Sequence, residues 1–230
     1  MKTLTFSKST LILAAAAATF LFTGCNADGS QVVSPEVTSA QSNHPSTPVT
    51  PTAPTAQTPD TETQTPAVTE PTSKVSAALQ QEYLDLLNAA RAETQDCGTM
   101  GVFDPAPALT WNVRLDNAAY EHSNDMAQSN TFSHTGSGTA TDTTAQDQAL
   151  GRGSSFSERI RNNGYTQYRK AGENIAAGYA TAQETVDAWL ESDHHCANLM
   201  DPAFTEVGMV LVEKEGSDYG FYWSQEFGGQ

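Results

Sequence analysis

Five histidines and three cysteines carry most of the reactive chemistry in this chain of 230 residues. Two of the histidines have a hydroxyl near them: Ser133 precedes His134, and Ser192 lies three residues before His195. A serine nucleophile needs a base that is itself oriented by an acid, and neither pair sits in an elbow motif or shows such a relay. No His-Glu-x-x-His run, phosphate-cradling glycine loop or cofactor fingerprint is present. His122 falls on the inner face of a helical pattern, four residues before Met126, and reads as a core histidine. His44 lies in a proline-rich stretch and shows no role. Trp111, Trp189 and Trp223 read as core anchors.

These residues must be delivered and positioned, and the chain divides into three parts for that purpose. Residues 1–24 read as a targeting segment: Lys2 and Lys8 precede an uncharged run from Thr10 to Phe22. The run is shorter than the roughly 20 apolar residues a spanning helix needs, and it has the flanks of a signal peptide. Leu21-Phe22-Thr23-Gly24-Cys25 resembles the lipobox of bacterial lipoproteins, which implies that Cys25 becomes an acylated N-terminus. Asn26 then resembles an outer-membrane sorting signal of the Gram-negative type. If Cys25 is lipidated, Cys97 and Cys196 are left as a pair, for which an oxidising compartment favours a disulfide. Two free buried thiols are the alternative.

Residues 25–76 form the second part. The stretch from Asn26 to Ser76 has no aromatic residue and holds eight of the eleven prolines. It cannot bury enough apolar surface to offset its chain entropy and reads as a disordered, extended linker. Some 50 residues at about 3.1 Å each reach on the order of 150 Å.

Residues 77–230 are one domain by length. Eight Lys and Arg stand against 22 Asp and Glu, a net charge of −14, which argues against nucleic acid as a partner. Apolar spacing predicts a helix from Ala77 to Thr94, with Leu79, Tyr83, Leu86, Leu87 and Ala90 inward. A second helix runs from Asn112 to near Asn130, with Leu115, Ala119, His122 and Met126 inward. Gly136 to Gly153 is rich in Thr, Ser, Gly and Asp and reads as a mobile loop. Capping boxes at Ser155 and Thr181 open two more helices, and Asp193 is placed to cap another. Alternation in Val207, Met209 and Leu211, then Tyr219, Phe221, Trp223 and Gln225, predicts a terminal hairpin.

Four stretches then stand in order: Phe132-Ser133-His134-Thr135, Gly172-Glu173-Asn174-Ile175-Ala176, Trp189 through Met200, and Tyr222-Trp223-Ser224-Gln225-Glu226-Phe227-Gly228. Together, over residues 79–228, they resemble the bacterial branch of the CAP superfamily of cysteine-rich secretory, antigen 5 and pathogenesis-related proteins. The resemblance implies an α/β fold, an α-β-α sandwich around a small antiparallel sheet. It implies a cleft of two histidines and acid, which maps to His134, Glu173 and His195. His194 stands where relatives have Gly, so the choice between His194 and His195 stays open. The second family glutamate falls on Ser192, with Glu191 beside it. Some bacterial relatives have Cys at positions 97 and 196, in keeping with the disulfide.

Two imidazoles and a carboxylate are a divalent-metal set, and zinc accepts all three donors. Three functions follow from the resemblance. One is a lipid-anchored binding module at the cell envelope, gripping a lipid, glycan or protein ligand. The second is a metal-dependent hydrolase built on His134, Glu173 and His195. The third is a structural envelope protein with a vestigial cleft.

Overall fold

The computed structural model describes residues 31–33 and 71–230. The signal segment, Cys25, His44 and most of the linker lie outside the described residues.

Five of the six described α-helices start where a side chain accepts their first free N–H groups. Ser76 accepts from Leu79 and opens α1, Ala77–Arg91; Asn112 accepts from Arg114 and opens α2, Val113–Ser129. Asp142 caps α3, Thr143–Asp147. Capping boxes, Ser155 with Glu158 and Thr181 with Glu184, open α4, Phe156–Asn162, and α5, Ala182–Leu190. The last helix, α6, spans Asp193–Met200 behind Ser192. Asp193 does not cap it. Its carboxylate instead accepts from the Thr99 N–H at 2.9 Å and from the Thr99 hydroxyl, tying the helix start to the 3-10 turn Gly98–Met100.

The strands are β1 Gln31–Val33, β2 Gln95–Asp96, β3 Val102–Phe103, β4 Thr110–Trp111, β5 Lys170–Ala177, β6 Glu206–Glu213 and β7 Phe221–Gly229. The main sheet runs β1-β5-β7-β6-β4, and β2 pairs with β3 separately. The three long strands are antiparallel, while the two-residue β4 joins β6 in parallel. The fold is therefore the expected sandwich, but two findings go beyond the reading of the hairpin. The Gly172-Glu173-Asn174 stretch is a strand beside β7. And β5 and β7 are buried along nearly their whole length, because helices cover both sheet faces.

Alternation along the strands assigns the layers. Trp223 and Phe227 join Tyr83, Leu87, Val186, Trp189 and Leu199 in a core with the α1, α5 and α6 layer. Tyr222 packs with Met126, and Ala171 with Leu115, Phe156 and Ile160, on the α2 and α4 side. Gly208 lies directly under α2: a Cβ there would collide with the backbone of Leu115 and Asp116.

Three expectations need correction. Leu79, placed inward by spacing, is 42 % exposed. The first helix ends at Arg91 rather than Thr94, and Arg91 is buried, donating to the carbonyls of Pro107, Leu199, Asp201 and Phe204. Residues 136–153 are packed rather than a loose loop. Asp142 is buried there and accepts from the N–H groups of Gly138, Ala145 and Ser154. Asp125 accepts from the Ser137 N–H and the hydroxyls of Ser137 and Thr141. Carboxylates that gather this many donors hold polar backbone as firmly as a ladder does. Ahead of α1, Val75 is buried and Asp116 accepts from Ser73 and Lys74, so packing begins before residue 77.

Candidate functional site

Glu173 is the hub of the site. It points from β5 toward α2 and α4 and is fully buried. Its Oε1 lies 2.6 Å from His134 Nδ1, and its Oε2 accepts from Arg159 Nη2 at 2.6 Å. His122, also fully buried, brings Nε2 to 3.7 Å from Oε2. Burial alone pushes the Glu173 carboxyl up. The charge of Arg159 and the hydrogen bond from His134 outweigh it, holding the group far below the usual carboxylate range. Glu173 is therefore ionised.

The surroundings divide the remaining charge. Burial and the Arg159 guanidinium lower His122 from 6.5 to about 3, so it is neutral at neutral pH and its approach to Glu173 is not an ion pair. Glu226 stands opposite Glu173 in the β5–β7 register and is also fully buried. Burial and the charge of Glu173 push Glu226 well above the usual range, favouring its protonated form. One carboxylate then answers one guanidinium.

His134 reaches this hub from the segment after α2, and its side chain is 14 % exposed. Arg159 also donates to the His134 carbonyl at 3.0 Å, so one residue fixes both the backbone of the histidine and its carboxylate partner. His195 comes from α6, half-buried, with Nδ1 2.9 Å from Ser192 Oγ. The two imidazole rings lie 6.5 Å apart between centroids. Each ring thus commits Nδ1 to a neighbour, which sets its orientation.

Helix α6 is held at both ends. Cys196 is bonded to Cys97, with Cα atoms 5.4 Å apart, and Arg91 ties down the far end. Asn198 donates to the Glu173 carbonyl at 3.2 Å, and Asn174 donates to the His195 carbonyl at 3.2 Å. The neighbouring histidines part company here. His195 faces His134, while His194 is exposed and lines a separate cavity of about 430 Å³ with Met100, Phe103 and Lys170. Glu191 is exposed at the end of α5, and Ser192 is the side chain that meets His195.

The three-residue zinc set does not fit this geometry. Both Glu173 oxygens are taken by nitrogen donors, and the guanidinium already answers its charge. Among the described residues no three His, Cys, Asp or Glu side chains form a metal-holding group. Glu173 acts behind His134 rather than beside it.

Arg159 and Glu226 are residues of the candidate site that sequence reasoning passed over. Arg159 had a signal: it sits between Phe156 and Ile160 on the apolar face of a short helix, where a cation needs a buried partner. Glu226 lies inside a stretch that alternation assigned outward, and only burial on both faces of β7 turns it inward.

The family model described as the CAP cysteine-rich secretory protein family matches residues 84–227. The YkwD protein of Bacillus subtilis (strain 168) is 31 % identical over 172 residues, 75 % of this chain and 55 % of that protein. The membrane protein YlbC of the same organism is 25 % identical over 158 residues, 69 % of this chain and 36 % of that protein. The chain thus spans about half or less of the length of these relatives. An extracellular SCP-domain protein from Bacillus anthracis aligns with a TM-score of 0.49 at 23 % identity, covering 69 % of this chain and 45 % of that one.

Proposed function

Because this chain belongs to the CAP family of cysteine-rich secretory proteins, we propose that it is an extracytoplasmic binding module, with His134 and His195 as the heart of its recognition surface. In this reading Cys25 carries the acyl anchor, the linker supplies reach, and the domain grips a ligand at the envelope, on the outer membrane if the cell is Gram-negative. Among the described residues no helix is long and apolar enough to cross a membrane.

One observation carries the choice of binding over hydrolysis. Glu173, the acid a hydrolase would need as ligand or base, is fully buried with both oxygens in 2.6 Å bonds. A general base must reach the proton it removes directly or through one water, and this carboxylate is sealed behind His134. A divalent cation such as zinc would have only the two imidazoles as direct ligands, fewer than the three of catalytic zinc sites.

The test is calorimetric zinc titration of the full chain and of a His134→Ala/His195→Ala variant, followed by a peptidase and esterase screen with zinc present. We expect zinc binding weaker than micromolar and no hydrolysis that depends on the histidines. Micromolar or tighter binding, lost in the variant together with a hydrolytic activity, would overturn the reading.

A further inference from the structure

The two histidines reach the site from opposite layers of the sandwich. Glu173 points to the α2 and α4 side, where it meets His134, and the next residue, Asn174, points to the α6 side, where it meets the His195 carbonyl. The rings therefore approach each other at the margin of β5, on the side that β7 does not cover. That margin is not bare. The three residues of β1 pair antiparallel along it, with Gln31 opposite Glu173, Val32 opposite Gly172 and Val33 opposite Ala171. β1 comes from the segment that sequence reasoning assigned wholly to the linker.

We propose that the β5 edge at the histidine pair is a docking groove for an extended peptide, kept in reserve by residues 31–33 of this same chain. The proposal rests on the binding-module reading above and gives that site its ligand class. An edge strand offers a row of backbone donors and acceptors that an added strand satisfies, whatever its side chains. β5 is eight residues long, but β1 covers only three of them. A segment tethered to its own site competes at an effective concentration on the order of millimolar, enough to shield a short edge. A longer free strand, able to pair along more of β5, can still displace it. The paired segment is Gln-Val-Val, and β-branched residues suit a strand. The domain carries a net charge of −14, which disfavours an acidic ligand. The occupant is thus an extended, β-branched, non-acidic peptide.

The experiment compares the full chain with a Val32→Pro/Val33→Pro variant. Of two consecutive strand residues one directs its N–H at β5, so the double change removes the ladder donor in either register. Hydrogen exchange is read at the backbone amides of residues 171–173. A fluorescent peptide carrying residues 29–34 (Gly-Ser-Gln-Val-Val-Ser) is titrated into both chains and then recovered for mass spectrometry. We expect exchange at Ala171 and Glu173, whose N–H groups face away from β7, at least tenfold faster, and peptide binding at least tenfold tighter, in the variant. Unchanged exchange and unchanged peptide affinity would overturn the docking groove and leave the binding-module reading standing. Faster exchange with no peptide capture would overturn the peptide as ligand class. Peptide recovered cut by the wild type, and intact from a His134→Ala/His195→Ala chain, would overturn the binding-module reading and leave the docked strand in place.

Discussion

Glu173 and Glu226 face each other directly across β5 and β7, both fully buried, with a single guanidinium, Arg159, to answer them. Two ionised carboxylates on one buried rung repel strongly, so the pair separates into one charged and one neutral member. The ionised member is the one that orients His134.

Replacing Glu226 with Gln keeps the shape of the neutral acid and removes its titration. A raised carboxyl stabilises the fold fully below the free value near 4.5, and that contribution is lost as pH climbs toward the folded value. Wild-type stability should therefore fall above pH 6.5, by up to about 1.4 kcal/mol per unit while Glu226 stays protonated. Glu226→Gln should flatten that decline and match or exceed wild type at pH 7 in urea denaturation. A loss of more than about 1 kcal/mol at pH 7 would mean that Glu226 is ionised and paired.

His122 sets the opposite slope. Its folded value of about 3 lies below the free value of 6.5. Folding then competes with protonation, and stability present above pH 6.5 is lost as pH falls toward 3. Between pH 4.5 and 6.5 the His122 and Glu226 slopes oppose each other, and wild type should be nearly flat. His122→Asn should unmask stability that falls with rising pH in this window, and Glu226→Gln stability that rises. Parallel curves for all three chains would show that neither group titrates as described.

Arg159→Met leaves the Glu173 charge buried without its guanidinium. Removing one partner of a buried pair costs about 3–5 kcal/mol. The loss should appear in urea denaturation, with the His134 ring signals in NMR broadened or shifted. Because Arg159 also donates to the Ser154 and His134 carbonyls, Arg159→Lys should recover only part of it.

The disulfide closes a loop of sequence separation 99. Chain entropy assigns such a cross-link about 4.7 kcal/mol, so Cys97→Ser/Cys196→Ser should lower the melting temperature markedly. Since Cys196 follows His195, the same variant should disturb the His195 ring resonances more than those of His122. Equal disturbance of both would mean that the bridge stabilises the domain without positioning α6.

The sequence showed the capped helices, the terminal strands, the cysteine pair and the two histidines, because caps, alternation and motif order are local signals. It did not show which way Glu173 would look. Its neighbours in the chain, Gly172 and Asn174, say nothing of Arg159, which arrives from a different helix. Nor could composition show that Thr, Ser and Asp around residues 136–153 satisfy one another. The same residues serve a loose loop until two aspartates are placed to collect their N–H and O–H groups. The positions of His194 and His195 separated only when α6 was fixed by Cys196, Asn198 and Arg91. The β1 pairing rests on three residues in a segment whose composition points to a linker.

His134 and His195 lie on opposite layers, 61 positions apart in the chain, and meet only around the margin of β5. Each layer holds one ring of the pair. Any sliding of one layer over the other changes the gap between the rings before it breaks a single strand pairing. The ring spacing is thus a vernier for the whole sandwich: a ligand that spans both imidazoles clamps the layers together and, by the same coupling, senses how firmly they are already joined.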